Sequence, residues 1–397
     1  MKILLIDDEP FVLKLLEHQL ISLGYQNIIT YGRALDALVR LEVGLEKISL
    51  IFCDLQMPEI DGVEFVRHLV RVHYDGGLIL ISGEDERILH TAERLAKAHK
   101  LQVLGSLQKP VSRQQLKMIM DKSPSLPARD PRKIYSHDEL QQAITNGHLV
   151  NYYQPQVEIV TGRIAGVETL VRWQHPQDGL VYPDQFINTA EDHGLIDDLT
   201  RTVLTNSLQQ ARQWIDTGLA LHVAVNVSMD NLVTLNFADF VADEVGRFGI
   251  PLTSLVLEVT ESRLMKDPLA SLDILTRLRL KHIGLSIDDF GTGHSSLAQL
   301  RDIPFNELKV DRGFVHGASH NASLRAIVEA SLDMAQHLSM QTVAEGVENW
   351  TDWNYLRTTS CDLAQGYFIA KPMPAEELPG WIAEWESRFP NLDVAQT

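Results

Sequence analysis

Apolar residues along this chain gather into short runs, each followed by a longer stretch with helical spacing, and the alternation starts twice. Over residues 1–120 the runs at 2–6 (KILLI), 27–31, 49–53 (SLIFC), 78–82 (LILIS) and 102–107 predict five strands separated by helices. Near-continuous apolar runs of that length suit parallel strands buried on both faces, so a doubly wound α/β sheet is expected. Residues 121–136, DKSPSLPARDPRKIYS, have no apolar period and predict a linker, partly stiffened by three prolines. From 137 to 390 the alternation resumes, with strands predicted at 149–158, 163–172, 221–227, 255–260, 284–289, 306–311, 340–346 and 364–370. Eight strands over about 250 residues match a TIM-type (β/α)8 barrel in count and size. Trp381, Trp385 and Phe389 recur at every fourth position near the end, which predicts a closing helix packed on its own barrel.

Polar residues punctuate the strand ends. In the second segment they are Glu168, Asn226, Glu258, Asp288–Asp289, Lys309, Glu345 and Gln365, most of them about one βα unit (~30 residues) apart. A closed barrel brings such ends into one ring, where residues read as catalytic. Five carboxylates, two amides and one ammonium would share that ring. Carboxylates so close repel one another unless a cation lies between them, and oxygen ligands suit magnesium or manganese. In the first segment Asp7–Asp8, Asp54, Ser82 and Lys109 follow or end strands one, three, four and five, which a doubly wound sheet gathers at one edge. Three carboxylates there can hold one magnesium ion. Asp54 can then act as nucleophile toward a phosphoryl group, with Lys109 and the Ser82 hydroxyl on the phosphoryl oxygens.

Composition narrows the classes. At 397 residues the chain suits two or three domains, and 45% apolar content suffices for ordinary cores. No apolar run approaches the ~20 residues that span a bilayer, and MKILLIDDEP ends in acids too early for a secretory peptide. Cys53 and Cys361 stand far apart without metal-ligand spacing and read as reduced thiols of a cytoplasmic protein with no membrane attachment. A net charge of −18 argues against direct DNA binding, while leaving a small phosphate-bearing substrate open, because a local metal charge overrules a distant field.

The motifs IDDEP (6–10), CDLQMPEIDG (53–62), Ser82 and LQKP (107–110) resemble those of response-regulator receiver domains, across all of residues 1–120. The resemblance implies a flavodoxin-like sheet and an Asp54 that accepts phosphate from a sensor histidine kinase or phosphotransfer protein. Ser106 stands three positions before Lys109, where the family often carries an aromatic residue that toggles on phosphorylation. A hydroxymethyl group cannot swing a ring in and out of a pocket.

The motifs GVETLVRW (166–173), AVNVS (224–228), LEVTES (257–262), IDDFGTGHSSL (287–297), ELKVDRGFV (307–315), VAEGVE (343–348) and AQGYFIAKPMP (364–374) resemble, in order, the EAL-domain family of cyclic-di-GMP phosphodiesterases, over about residues 137–385. That implies hydrolysis of cyclic-di-GMP to linear pGpG with two magnesium or manganese ions. Glu168, Asn226, Glu258 and Asp288 offer a first ion three carboxylates and a carbonyl oxygen, and Asp289 bridges toward a second. By resemblance Lys309 hydrogen-bonds the attacking water. Glu345 is either the general base or a second-metal ligand. Arg172 shares a strand face with Glu168 and can fork onto a phosphate, and Gln154, Leu170, Gln365 and Glu348 are expected at the substrate. Asp311 is expected to face substrate or to support the site from behind. Glu261 anchors the mobile DFGTGHSS loop (289–296) in the family, where that loop also serves a homo-oligomer interface. Thr169 replaces the usual alanine, faces away from Glu168 and should affect packing only. His294 replaces a tyrosine in the loop. His175, His316 and His320 lack a third ligand and are given no role. The alternative to an enzyme is a catalytically inactive cyclic-di-GMP receptor or protein-binding scaffold. Degenerate members lose a ligand or the loop, whereas every ligand, the lysine and the loop glycines stand here.

Overall fold

Period-two alternation inside the apolar runs decides how the first unit packs. A computed structural model of the chain describes residues 2–43, 48–72, 74–83, 86–121, 133, 135–228, 230–260, 268–291 and 303–394. The chain forms two compact units, Met1–Arg132 and Lys133–Thr397. In the first, β1 (Ile3–Ile6), β2 (Ile28–Tyr31), β3 (Leu50–Asp54), β4 (Gly77–Ser82) and β5 (Gln102–Gln108) form a parallel sheet in the order β2-β1-β3-β4-β5. Leu4, Ile6, Ile51, Cys53, Leu78 and Leu80 fill the core on one face, and Ile3, Leu5, Leu50, Phe52, Ile79 and Ile81 the core on the other. Helices cover both faces, which is why the strands read as apolar throughout. The strand order reverses between β1 and β3, so the crevice opens where Asp7 follows β1 and Asp54 closes β3.

The second unit holds β6 (Leu149–Glu158), β7 (Ile164–His175), β8 (Gly179–Val181), β9 (His222–Val227), β10 (Leu255–Thr260), β11 (Gly284–Phe290), β12 (Glu307–Val310), β13 (Gln341–Ala344), β14 (Leu363–Ala364) and β15 (Met373–Pro374). Eight strands close in the order β6-β7-β9-β10-β11-β12-β13-β14, with β14 pairing back to β6, while β8 and β15 extend β7 and β6. The α/β barrel expected from the pattern is present, with two departures. First, β6 runs antiparallel to both neighbours. Only residues 159–163 separate β6 from β7, a hairpin turn and far too short for the crossover that parallel strands need. Second, the run at 364–370 is not a strand beyond Ala364. A Cβ at Gly366 would lie 2.2 Å from the Val347 carbonyl oxygen, and the chain turns there, with Ala370 N–H donating to Gly366 O.

The last residues assigned to the linker belong to the barrel unit. Tyr135 is buried against Trp173, ring centroids 4.6 Å apart, and Ser136 caps the helix His137–Thr145 in a reciprocal box with Glu139. The rest of the linker, 122–132 and 134, lies outside the described residues. The closing helix Leu378–Val394 packs as expected: Trp385 is buried and its indole N–H donates to Gly162 O at 2.7 Å. No helix among the described residues is long and apolar enough to cross a membrane.

Candidate active and phosphoacceptor sites

Strand register aligns the ring. Glu258 pairs in register with Asn226 on one side and Ser286 on the other, and Glu168 lies opposite Gln154. Lys309 is wholly buried at the centre. Its Nζ lies 2.7 Å from Glu345 Oε1, 3.0 Å from Glu258 Oε1, 3.4 Å from Asp288 Oδ1 and 3.5 Å from Glu168 Oε2. Burial alone would lower the lysine pKa, but these carboxylates hold it well above its ordinary value.

The acids divide by environment. Burial would raise Glu168, yet Lys309 and the amides of Gln365 and Asn226 hold it below the usual carboxylate range; Asn226 Nδ2 donates to its Oε1 at 2.9 Å. Burial, and then the Glu168 charge, push Glu258 well up. Burial pushes Glu345 up to about 8 and Asp289 up to about 6, the latter with help from the adjacent Asp288. Among the described residues Glu258 makes no hydrogen bond of regular geometry, and its cationic neighbour is the Lys309 ammonium at 3.0 Å. Asp288, Asp289 and Glu345 bring carboxylate oxygens within 4.8 Å of one another. Oxygen ligands, more carboxylates than the one ammonium can neutralise and a three-carboxylate cluster fit hard divalent cations.

A pocket of about 250 Å³ opens onto this ring, lined by Gln154, Glu168, Leu170, Asp288, Glu345, Glu348 and Gln365, together with Arg312 and Tyr367. An amide chain floors it: Gln156 Nε2 donates to Gln365 Oε1 (3.0 Å), and Gln365 Nε2 donates to Gln154 Oε1 (3.0 Å) and to Glu168. Arg172 is buried between the rings of Tyr152 and Tyr182, 5.6 and 5.1 Å from their centroids, and does not line this pocket. Asp311 caps a short helix by accepting from Gly313 N–H. The Thr169 hydroxyl accepts from Ser207 on the outer side of β7, away from the ring. Glu261 and His294 lie outside the described residues.

The first unit brings its predicted residues together. Lys109 Nζ lies 2.9 Å from both Asp7 Oδ2 and Asp54 Oδ2, and Asp8 adds a third carboxylate within 4.8 Å. Burial raises the pKa of Asp7 and Asp54, an effect that the bonds to Lys109 oppose. Among the described residues Asp54 Oδ1 is buried without a hydrogen-bond partner, which suits one divalent cation at this cluster. Ser82 is buried at the end of β4, its carbonyl accepting from Lys109 N–H. Ser106 donates to Glu93 Oε2 at 2.9 Å, in place of any ring.

Three residues near these sites had escaped the strand-end pattern. Gln156 and Glu307 lie two positions from Gln154 and Lys309, on the same strand faces, so period two was the available signal. Glu307 is buried beside Ser286, where burial raises its pKa. Glu9 adds a contact to Lys109 at 3.2 Å.

Comparison with known proteins adds to this geometry. The family described as EAL domain matches residues 137–372, and that described as response regulator receiver domain matches residues 3–121. The chain is 31% identical over 385 residues to the cyclic di-GMP phosphodiesterase RocR of Pseudomonas aeruginosa, covering 95% of this chain and 97% of that protein. It is 42% identical over 248 residues to the bifunctional diguanylate cyclase/cyclic di-GMP phosphodiesterase MucR of the same organism, covering 62% of this chain but only 36% of MucR. The solved PaMucR phosphodiesterase, in complex with c-di-GMP, aligns with a TM-score of 0.58 at 42% identity over 61% of this chain and 98% of that one.

Proposed function

The chain belongs to the EAL domain family, with a response regulator receiver domain ahead of its barrel, and we propose that the barrel hydrolyses cyclic-di-GMP to linear pGpG under control of phosphorylation at Asp54. The observation that carries this reading is the convergence of Glu168, Glu258, Asp288 and Glu345 on the buried Lys309 ammonium. Degenerate sites lack such a complete set, and a site is judged by its whole constellation.

Glu168, Asn226, Glu258 and Asp288 would hold one magnesium or manganese ion, and Asp288, Asp289 and Glu345 a second. Such ions, when bound, supply positive charge to the phosphodiester oxygens and acidify water. The clustering of Glu345 with Asp288 and Asp289 supports the ligand role for Glu345. Lys309 hydrogen-bonds the attacking water and offsets negative charge in the ring. Gln154, Leu170, Gln365 and Glu348, which line the pocket, bind and orient the dinucleotide, and Arg172, outside that lining, meets a phosphate of it. Hydrolysis adds one water: its oxygen bonds to phosphorus, the P–O3′ bond breaks, and the 3′ oxygen takes up a proton.

In the receiver, an Asp54 carboxylate oxygen takes the phosphoryl group from a sensor histidine kinase or phosphotransfer protein, with one magnesium ion at Asp7, Asp8 and Asp54 and with Lys109 and Ser82 on the phosphoryl oxygens. Self-association through the barrel and a cytoplasmic location complete the proposal.

The test is incubation of the full chain with cyclic-di-GMP and magnesium, with and without acetyl phosphate. Linear pGpG is expected from the parent, none from Glu168→Ala, and a rate that responds to acetyl phosphate in the parent but not in Asp54→Asn. Tight binding without product makes the chain a receptor; neither binding nor product overturns the reading.

A further inference from the structure

A buried carboxylate ties together the two loops that flank Glu348. Asp352 is 1% exposed, in the first turn of the helix Trp350–Leu356. Its Oδ2 lies 2.8 Å from His316 Nδ1 and accepts from Glu348 N–H at 3.3 Å, while its Oδ1 accepts from Gly317 N–H at 3.1 Å. A carboxylate can only accept, so His316 Nδ1 carries the hydrogen. That bond fixes the ring; Nε2 stands 3.9 Å from Glu348 Oε2, too far for a hydrogen bond, so the link from His316 to Glu348 runs through Asp352. The other oxygen of Glu348 pairs with Arg312. Both groups facing the Glu348 carboxylate therefore come from the segment 312–316, and its backbone N–H is bound by the same acid that orients His316.

We infer that His316 and Asp352 are positioning residues for substrate binding: His316 fixes the Asp352 carboxylate, Asp352 holds the Glu348 backbone N–H, and the Glu348 side chain is thereby kept at the pocket wall in the orientation that receives a hydrogen-bond-donating edge of the nucleotide. Arg312 is 62% exposed at its side chain, so solvent screens its hold on Glu348 and substrate can displace it. The Asp352–His316 pair is anchored from the buried side and stays. The inference rests on the reading of Glu348 as a substrate contact.

The test is a double-mutant cycle on the full chain with His316→Ala, Glu348→Gln and the pair. His316 is about half exposed (45%), so its replacement leaves the fold intact. Affinity for cyclic-di-GMP is measured by calorimetric titration in EDTA, and kcat separately in magnesium. His316→Ala is expected to raise Kd roughly 3- to 10-fold and to change kcat less than about twofold. In the Glu348→Gln background the same replacement should change Kd less than about twofold. An equal loss in both backgrounds, or no loss where Glu348→Gln itself weakens binding, overturns the inference. Unchanged affinity in Glu348→Gln overturns the substrate role of Glu348 and the inference with it. A parent that binds but does not turn over, with the cycle intact, sinks the hydrolase reading alone.

Discussion

Replacing Lys309 with methionine removes one charge and keeps nearly the same length of side chain. The ammonium is fully buried among four carboxylates at 2.7–3.5 Å. Its shortest contact alone represents about 6 kcal/mol of gross attraction at an effective dielectric of 20. Desolvation of the ammonium offsets much of the total, and deleting one partner from a buried ion cluster typically costs about 3–5 kcal/mol net. For a barrel of this size that corresponds to a fall in Tm on the order of 10 °C. The fall should be seen in EDTA. With magnesium or manganese present, the ions take over the neutralisation of the acids, so most of the lost stability should return, whereas hydrolysis should not. Differential scanning fluorimetry of parent and variant, each with and without metal, reads this directly. Equal Tm losses in EDTA and in magnesium would show that the ammonium and the cations do not answer to the same carboxylates, and would refute the argument.

Acidity should move the metal-free protein in the same sense. Glu345 and Asp289 have folded pKa values raised to about 8 and about 6, so between the ordinary carboxylate range and pH 8 the folded state binds more protons than the unfolded state. Stability must then fall as pH rises through that window; Tm in EDTA should decline from pH 5 to pH 8, and magnesium should flatten the decline, because cation binding displaces those protons. Gly366→Ala would place a methyl group 2.2 and 2.3 Å from the Val347 carbonyl oxygen and amide nitrogen. Because backbone cannot yield as a side chain does, about 1–3 kcal/mol of stability should be lost, and hydrolysis should fall as Gln365 leaves Glu168; a variant with parental Tm and rate would refute that account.

The pattern of the chain exposed both architectures because each buried element repeats at its own period. What it hid has physical causes. Residues 364–370 are apolar enough for a strand, but pairing stops at Ala364 because the backbone of Val347 occupies the space a side chain at 366 would need. The reversed direction of β6 is invisible in its composition, since a strand shows the same face pattern read from either end. Gln156 stands inside its strand and Glu307 at the amino end of its own, where a rule for carboxyl ends does not look. His316 and Asp352 meet across 36 residues through a hydrogen bond, and neither has local spacing that announces a partner. Arg172 lies four residues after Glu168 on one strand, but the tyrosines that enclose it come from two other segments, which the spacing along its own strand does not reveal.

The hairpin that opens the barrel also decides how the ring is sealed. Because β6 meets β7 through a short turn, that pairing is local and cheap in chain entropy, whereas the closing pair of β14 with β6 joins Ala364 to Val157 across most of the unit. The seal is only two residues wide on the β14 side, and it is spanned by the hydrogen bonds of Gln156 and Gln154 with Gln365. Pocket-floor amides and closure seam are therefore the same few bonds. Fraying of the seam dismantles the pocket floor before any core unfolds, and a ligand that engages Gln365 acts as a clasp on the barrel. Amide exchange at Leu363–Gln365 should slow when the pocket is filled, making the seam a built-in reporter of occupancy.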